Sequence, residues 1–125
     1  MMHFESTTVH GYGRGKGLGF PTINMVVPLH GFSDMRHGVY AARANVDGVE
    51  YGGALYYGPA PTFDQNEIAL EIYLLDAPHF SIEKGAPVAV DIVQFIRPVM
   101  KFDTPELLVQ QMQRDEQAIR QVLKI

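Results

Sequence analysis

The sequence predicts a mainly β domain, an antiparallel sheet closed into a small barrel and finished by one C-terminal helix. Three observations carry this. Short β-branched and apolar runs alternate with turn residues between positions 23 and 96. The links between them are too short for the crossovers that parallel strands require, and closing the sheet removes its exposed edges. Only the tail, from Asp103 onward, carries a helical repeat.

The elements follow in order. "HGYGRGKGLGFPTIN" (10–24) places glycine at 11, 13, 15, 17 and 19, then turns abruptly rigid at Phe20-Pro21-Thr22. Glycine weakens any strand or helix it interrupts, so a run this dense points to a backbone shaped around something. "INMVVPL" (23–29) has strand character and is stopped by Pro28. "GFSDMRHG" (31–38) reads as a loop. "VYAARANV" (39–46) and "VEYGGALYY" (49–57) flank Asp47-Gly48, a strong hairpin signal. The prolines of "GPAPTF" (58–63) exclude a central strand there. In "EIALEIYLLD" (67–76), Ile68, Leu70, Ile72 and Leu74 alternate with Ala69, Glu71, Tyr73 and Leu75, which is period two with one aliphatic face. "VAVDIVQFI" (88–96) supplies the last strand. In the tail, Thr104 is placed as N-cap, Pro105 as the first helical residue and Glu106 in the first turn. Leu108, Met112, Ile119 and Val122 then form a stripe that should pack on the barrel. Asp115 interrupts it, either as its wet edge or as a residue facing a site.

The 125 residues suffice for one domain with one core, and 46% hydrophobic with 19% charged residues is ordinary globular composition. There is no cysteine, so disulfides and thiolate metal sites are excluded. No apolar run approaches the ~20 residues of a bilayer span, and "MMHFESTTVH" lacks the features of a signal peptide. A cytoplasmic protein without a membrane partner is expected. A net charge of −4 argues against a broad nucleic-acid surface. An anionic ligand would therefore need local help, from Arg14 and Lys16, from backbone amides or from a metal ion.

Familiar phosphate loops do not fit the opening. The P-loop pattern puts His10 where its first glycine belongs and Gly17 where Ser or Thr belongs. The G-x-G-x-x-G pattern fails from Gly11, Gly13 and Gly15 alike. Successive glycine amides can still converge on an anion, with Arg14 and Lys16 adding charge. The other reading is a basic hairpin without a ligand. Thr22 and Asn24 lie two apart, so in an extended segment both side chains face one way. They either satisfy turn hydrogen bonds or offer two neutral oxygens of the kind Mg²⁺ accepts beside substrate phosphates. Glu71 stands mid-strand, where glutamate is depleted. It is a surface carboxylate if its face meets solvent and a candidate general base if it lines the barrel mouth. Asp34, Asp47 and Asp64 sit in turns for backbone reasons. The five histidines show no helical metal-ligand pairing, and no serine has a nucleophile-elbow context.

Taken in order, "GYGRGKGLGFPTIN", "GVYAARANVDG", "GPAPTF", "ALEIYLLD", "IRPVMKF" and "LVQQMQRD" resemble the riboflavin kinase family from about Val9 to Arg120. The resemblance implies a Greek-key barrel of about six strands with a helix over about 104–123, in a single domain spanning 1–125. It would stand alone, without the adenylyltransferase domain that accompanies most bacterial members. The implied reaction moves the ATP γ-phosphate to the 5′-hydroxyl of riboflavin, giving FMN and ADP with Mg²⁺. The alternative is a non-catalytic flavin- or nucleotide-binding module on the same fold. By the resemblance, Gly11, Gly13, Arg14, Gly15, Lys16, Gly17, Gly19 and Pro21 would surround the nucleotide phosphates. Thr22 and Asn24 would hold Mg²⁺ and phosphate, and Glu71 would be the catalytic carboxylate. Leu74 and Asp76 would lie near the nucleotide, and Arg97, Met100 and Phe102 along the flavin. Two stretches depart from the family pattern. "YYGPAPTF" puts Tyr56 and Ala60 where the family carries Asn and Arg, and "IEKG" puts Lys84 in place of a tyrosine.

Overall fold

The computed structural model describes residues 2–9, 22–59, 67–77 and 81–125. Among these residues the chain forms β1 (Met2–Val9), β2 (Thr22–Met25), β3 (Gly38–Val46), β4 (Val49–Pro59), β5 (Ile68–Leu74), β6 (Pro87–Pro98) and α1 (Pro105–Leu123). The strands close into a barrel in the order β1-β2-β5-β4-β3-β6, and every neighbouring pair is antiparallel. β3, β4 and β5 form a meander, and β6 returns to lie beside β3, which makes the connection a Greek key.

Five strands lie where the hydrophobic pattern puts them, with β2 ending earlier, at Met25. The pattern does not announce β1. In that strand only Phe4 and Thr8 are buried, so alternation is thin. Thr8 is nonetheless held. Its hydroxyl donates to the Glu83 carbonyl (2.5 Å) and accepts from the Ala86 amide (3.1 Å). Between β3 and β4, Asp47 (φ 52) and Gly48 (φ 80) make a two-residue turn with both φ positive, and Val46 pairs with Val49. That is the turn an Asp-Gly pair favours.

Two apolar clusters result. Inside the barrel lie Ile23, Tyr40, Leu55, Ile72, Leu74 and Ile92 with their neighbours. Outside it, Val39, Ala41, Ala54 and Leu75 meet Ile119 and Leu123 of α1. The helix thus covers one outer face of the sheet, where each fully buried Ile or Leu stabilises by about 1.5–3 kcal/mol. Its start is capped as expected, since Thr104 Oγ1 accepts from the Leu107 amide at 3.2 Å. Its end is closed by Lys124 in the left-handed region (φ 60), and Arg43 donates to the Leu123 carbonyl at 3.3 Å. Asp115 does not mark a wet edge. It is 1% exposed, and Arg97 of β6 reaches it with Nε (2.9 Å) and Nη2 (2.9 Å). Gln111 adds a further bond at 3.0 Å, so the charge is buried because it is paired. No helix among the described residues is long and apolar enough to cross a membrane.

Candidate functional site

Strand register brings the predicted residues together. On β2, Ile23 is buried in the barrel while Thr22 and Asn24 are half-buried on the outer face. On β5, Leu70, Ile72 and Leu74 point inward, leaving Glu71 and Tyr73 on that same outer face. Asn24 pairs with Glu71, and Thr22 with Tyr73. Directly opposed residues of antiparallel strands have their Cβ atoms about 5 Å apart. Glu71 therefore lines neither the barrel interior nor open solvent. It sits half-buried on an outer wall beside the oxygen pair.

The row continues across the sheet. Glu71 pairs with Tyr56 of β4, Tyr56 with Val39 of β3, and Val39 with Arg97 of β6. Asn24, Glu71, Tyr56, Val39 and Arg97 thus form one transverse row over five strands, with about 4.8 Å between strands. Val9 of β1 extends it beyond Asn24. At the Arg97 end, α1 covers the sheet. The guanidinium, held by Asp115, also donates to the Pro98 carbonyl (3.1 Å) and stands 5.9 Å from the centre of the Phe102 ring. Met100, 43% exposed, lies in the 99–104 connection between β6 and α1. Sequence spacing could not pair Arg97 with Asp115, because the partners sit on different elements.

Tyr73 joins the row to the helix. Its hydroxyl donates to the Met112 carbonyl (3.3 Å), and burial, reinforced by the nearby Asp115 charge, pushes the phenol well above its ordinary range. Asp76 follows β5 in the left-handed region (φ 57) and is exposed. Arg120 grips it with two bonds, at 2.8 and 3.1 Å, which hold its carboxyl below the ordinary value. Leu74 is different. Its side chain is 1% exposed in the barrel interior, so a ligand could meet only its backbone. Lys84 is exposed in the turn beside Gly85, whose amide donates to the Thr8 carbonyl, near the β1 end of the row. Gly11, Gly13, Arg14, Gly15, Lys16, Gly17, Gly19, Pro21 and Ala60 lie outside the described residues.

The donor set of Thr22 and Asn24, two neutral oxygens with a carboxylate opposite, is chemically suited to Mg²⁺. Among the described residues no cluster of three or more His, Asp or Glu could hold a metal unaided. A separate cavity of about 340 Å³ opens between Met2, Met35, Tyr40 and Ile92. None of the predicted site residues lines it.

Comparisons with known proteins identify the family. The family model described as riboflavin kinase matches residues 1–123. A bifunctional riboflavin kinase/FMN adenylyltransferase from Listeria monocytogenes is 36% identical over 93% of the chain and 36% of its own length. The RNA-binding riboflavin kinase RibR of Bacillus subtilis is 37% identical over 92% of the chain and 48% of its own length. The chain thus spans less than half the length of these two relatives. The crystal structure of riboflavin kinase from Trypanosoma brucei superposes with a TM-score of 0.71 over 98% of this chain and 79% of that one, at 22% identity, which speaks to the fold. A barrel of this topology and a family match running almost from end to end lead to one assignment: the chain belongs to the riboflavin kinase family.

Proposed function

We propose that the chain transfers the γ-phosphate of ATP to the 5′-hydroxyl of riboflavin, giving FMN and ADP. The observation that carries this reading is the register of β2 and β5, which sets the Glu71 carboxylate directly beside Asn24 and diagonal to Thr22 on one outer wall. Phosphoryl transfer asks a protein mainly for alignment and charge neutralisation.

Thr22 and Asn24 offer oxygens at one end of the wall, and Mg²⁺ held there would neutralise phosphate charge. The glycine-rich segment 11–19, with Arg14 and Lys16, runs directly into β2 in the sequence and is assigned to cover the phosphates. Glu71 takes the proton of the attacking 5′-hydroxyl as its oxygen bonds to the γ-phosphorus. The bond between that phosphorus and the β–γ bridging oxygen breaks, and its electron pair leaves with ADP. A carboxylate within about 3 Å of the hydroxyl can perform this proton transfer. The flavin end is assigned to the 97–102 segment, which Arg97 and Asp115 anchor. Asp76, just past β5, and the exposed backbone near it are assigned to the nucleotide side.

The test is direct. Purified protein incubated with riboflavin, ATP and Mg²⁺ should form FMN, separated by chromatography, and should form none when ATP or Mg²⁺ is withheld. A folded protein that yields no FMN with all three present refutes the reading.

A further inference from the structure

We infer that the cavity between the 31–35 segment and the barrel is a second ligand site, suited to a small organic cation: an ammonium group on a compact apolar body. It shares no residue with the Glu71 wall, so it stands or falls apart from the kinase reading. Its volume, about 340 Å³, lies within the usual range of small-molecule pockets. Tyr40 and Ile92, both almost fully buried, line its depth, and the half-buried Met2 and Met35 line its sides. The segment that completes it is fixed from two directions. Phe32 is buried edge-on against Phe4 and Tyr57, with ring centres 5.0 and 5.1 Å away. Its carbonyl accepts from Tyr57 Oη and from the Met35 amide, both at 3.1 Å. Farther along, Tyr40 Oη donates to the Arg36 carbonyl at 2.5 Å. The cavity is therefore preformed, and its methionines can still adapt to the shape of an occupant.

Charge decides the class of ligand. Asp34 is the one charged side chain among the described residues that line the cavity. No Lys, Arg or His among the described residues pairs with its carboxylate. Arg36, two residues on, is turned onto the Phe95 ring, 4.3 Å from its centre, and does not line the cavity. The Tyr40 hydroxyl proton is committed to the Arg36 carbonyl, so Ser33 and Asp34 are the side chains left to bind a polar group. Both are exposed. An ammonium can meet Asp34 there without losing its water, while the apolar body enters the cavity. An anion would face the carboxylate with no counter-charge.

Two-dimensional NMR titrations of the full chain with 2-phenylethylamine, 2-phenylethanol and phenylacetate test this, because the three share one apolar body and differ in charge. At low salt the amine should bind saturably and shift the amide resonances of residues 31–36. It should bind about three- to fivefold more tightly than the alcohol, the advantage expected of an exposed ion pair. The acid should bind more weakly than the alcohol. Asp34→Asn, a change at an exposed turn position, should bring the amine to the affinity of the alcohol and leave the rate of FMN formation unchanged. No saturable shift with any of the three probes, equal affinity for amine and acid, or an amine preference that survives in Asp34→Asn would overturn the inference. None of these outcomes bears on FMN formation by the wild type, which judges the kinase reading separately.

Discussion

At the residue scale, Glu71 and Asp115 show how place decides what a carboxylate does. Glu71 is half-buried beside Asn24 with access from outside the barrel, the condition a general base needs. Replacing it with glutamine should lower turnover about 10²–10⁴-fold while riboflavin binding is largely retained, as measured by initial rates and a fluorescence titration. Asp115 is almost wholly enclosed and bound by Arg97 and Gln111, so its charge is structural. Asp115→Ala leaves the Arg97 guanidinium, itself only 14% exposed, without its partner. The expected cost is about 3–5 kcal/mol in a denaturant titration, and a loss below 1 kcal/mol would show that the pair is dispensable. Helical periodicity could mark Asp115 as an interruption of the stripe. It could not distinguish a wet edge from a buried ion pair, because the partner lies on β6, across the 99–104 connection.

At the scale of elements, two contacts set how the helix and β5 sit. Thr104→Ala removes the N-cap acceptor of α1 and should destabilise by about 1 kcal/mol, read as a lower unfolding midpoint. Gly53→Ala is a stricter test of β5. The new methyl would lie 2.7 Å from the Tyr73 carbonyl oxygen, a backbone atom that no rotamer change can move. The strand carrying Glu71 must then shift, with an expected cost of about 1–3 kcal/mol and a measurable fall in turnover. Stability and rate both equal to wild type would contradict this packing. The elements that sequence revealed are those whose burial alternates cleanly, such as β5 and β6. β1 was illegible because only Phe4 is a large apolar residue buried from it, and its Thr8 is satisfied by a loop distant in sequence.

At the scale of the whole molecule, barrel closure turns local signals into one wall. The side of β2 and β5 on which Thr22, Asn24 and Glu71 fall follows from alternation, and the sequence carries it. The register that sets Asn24 opposite Glu71, and Tyr56 between Glu71 and Val39, depends on pairings across long stretches of chain, which no local pattern encodes. Tyr73 gives the packed state a pH signature. Its folded pKa lies above the ordinary 10.0, so the stability tied to the neutral phenol is present below about pH 10 and lost as pH rises beyond it. Thermal midpoints should fall as pH rises above about 10 in wild type and fall less in Tyr73→Phe, and identical profiles would contradict the burial of that hydroxyl. The most direct measurement of all is a crystal structure of the protein with riboflavin, ADP and Mg²⁺. The account predicts the 5′-hydroxyl within about 3 Å of the Glu71 carboxylate. A flavin bound elsewhere, such as in the cavity beside Tyr40 and Met35, would contradict it.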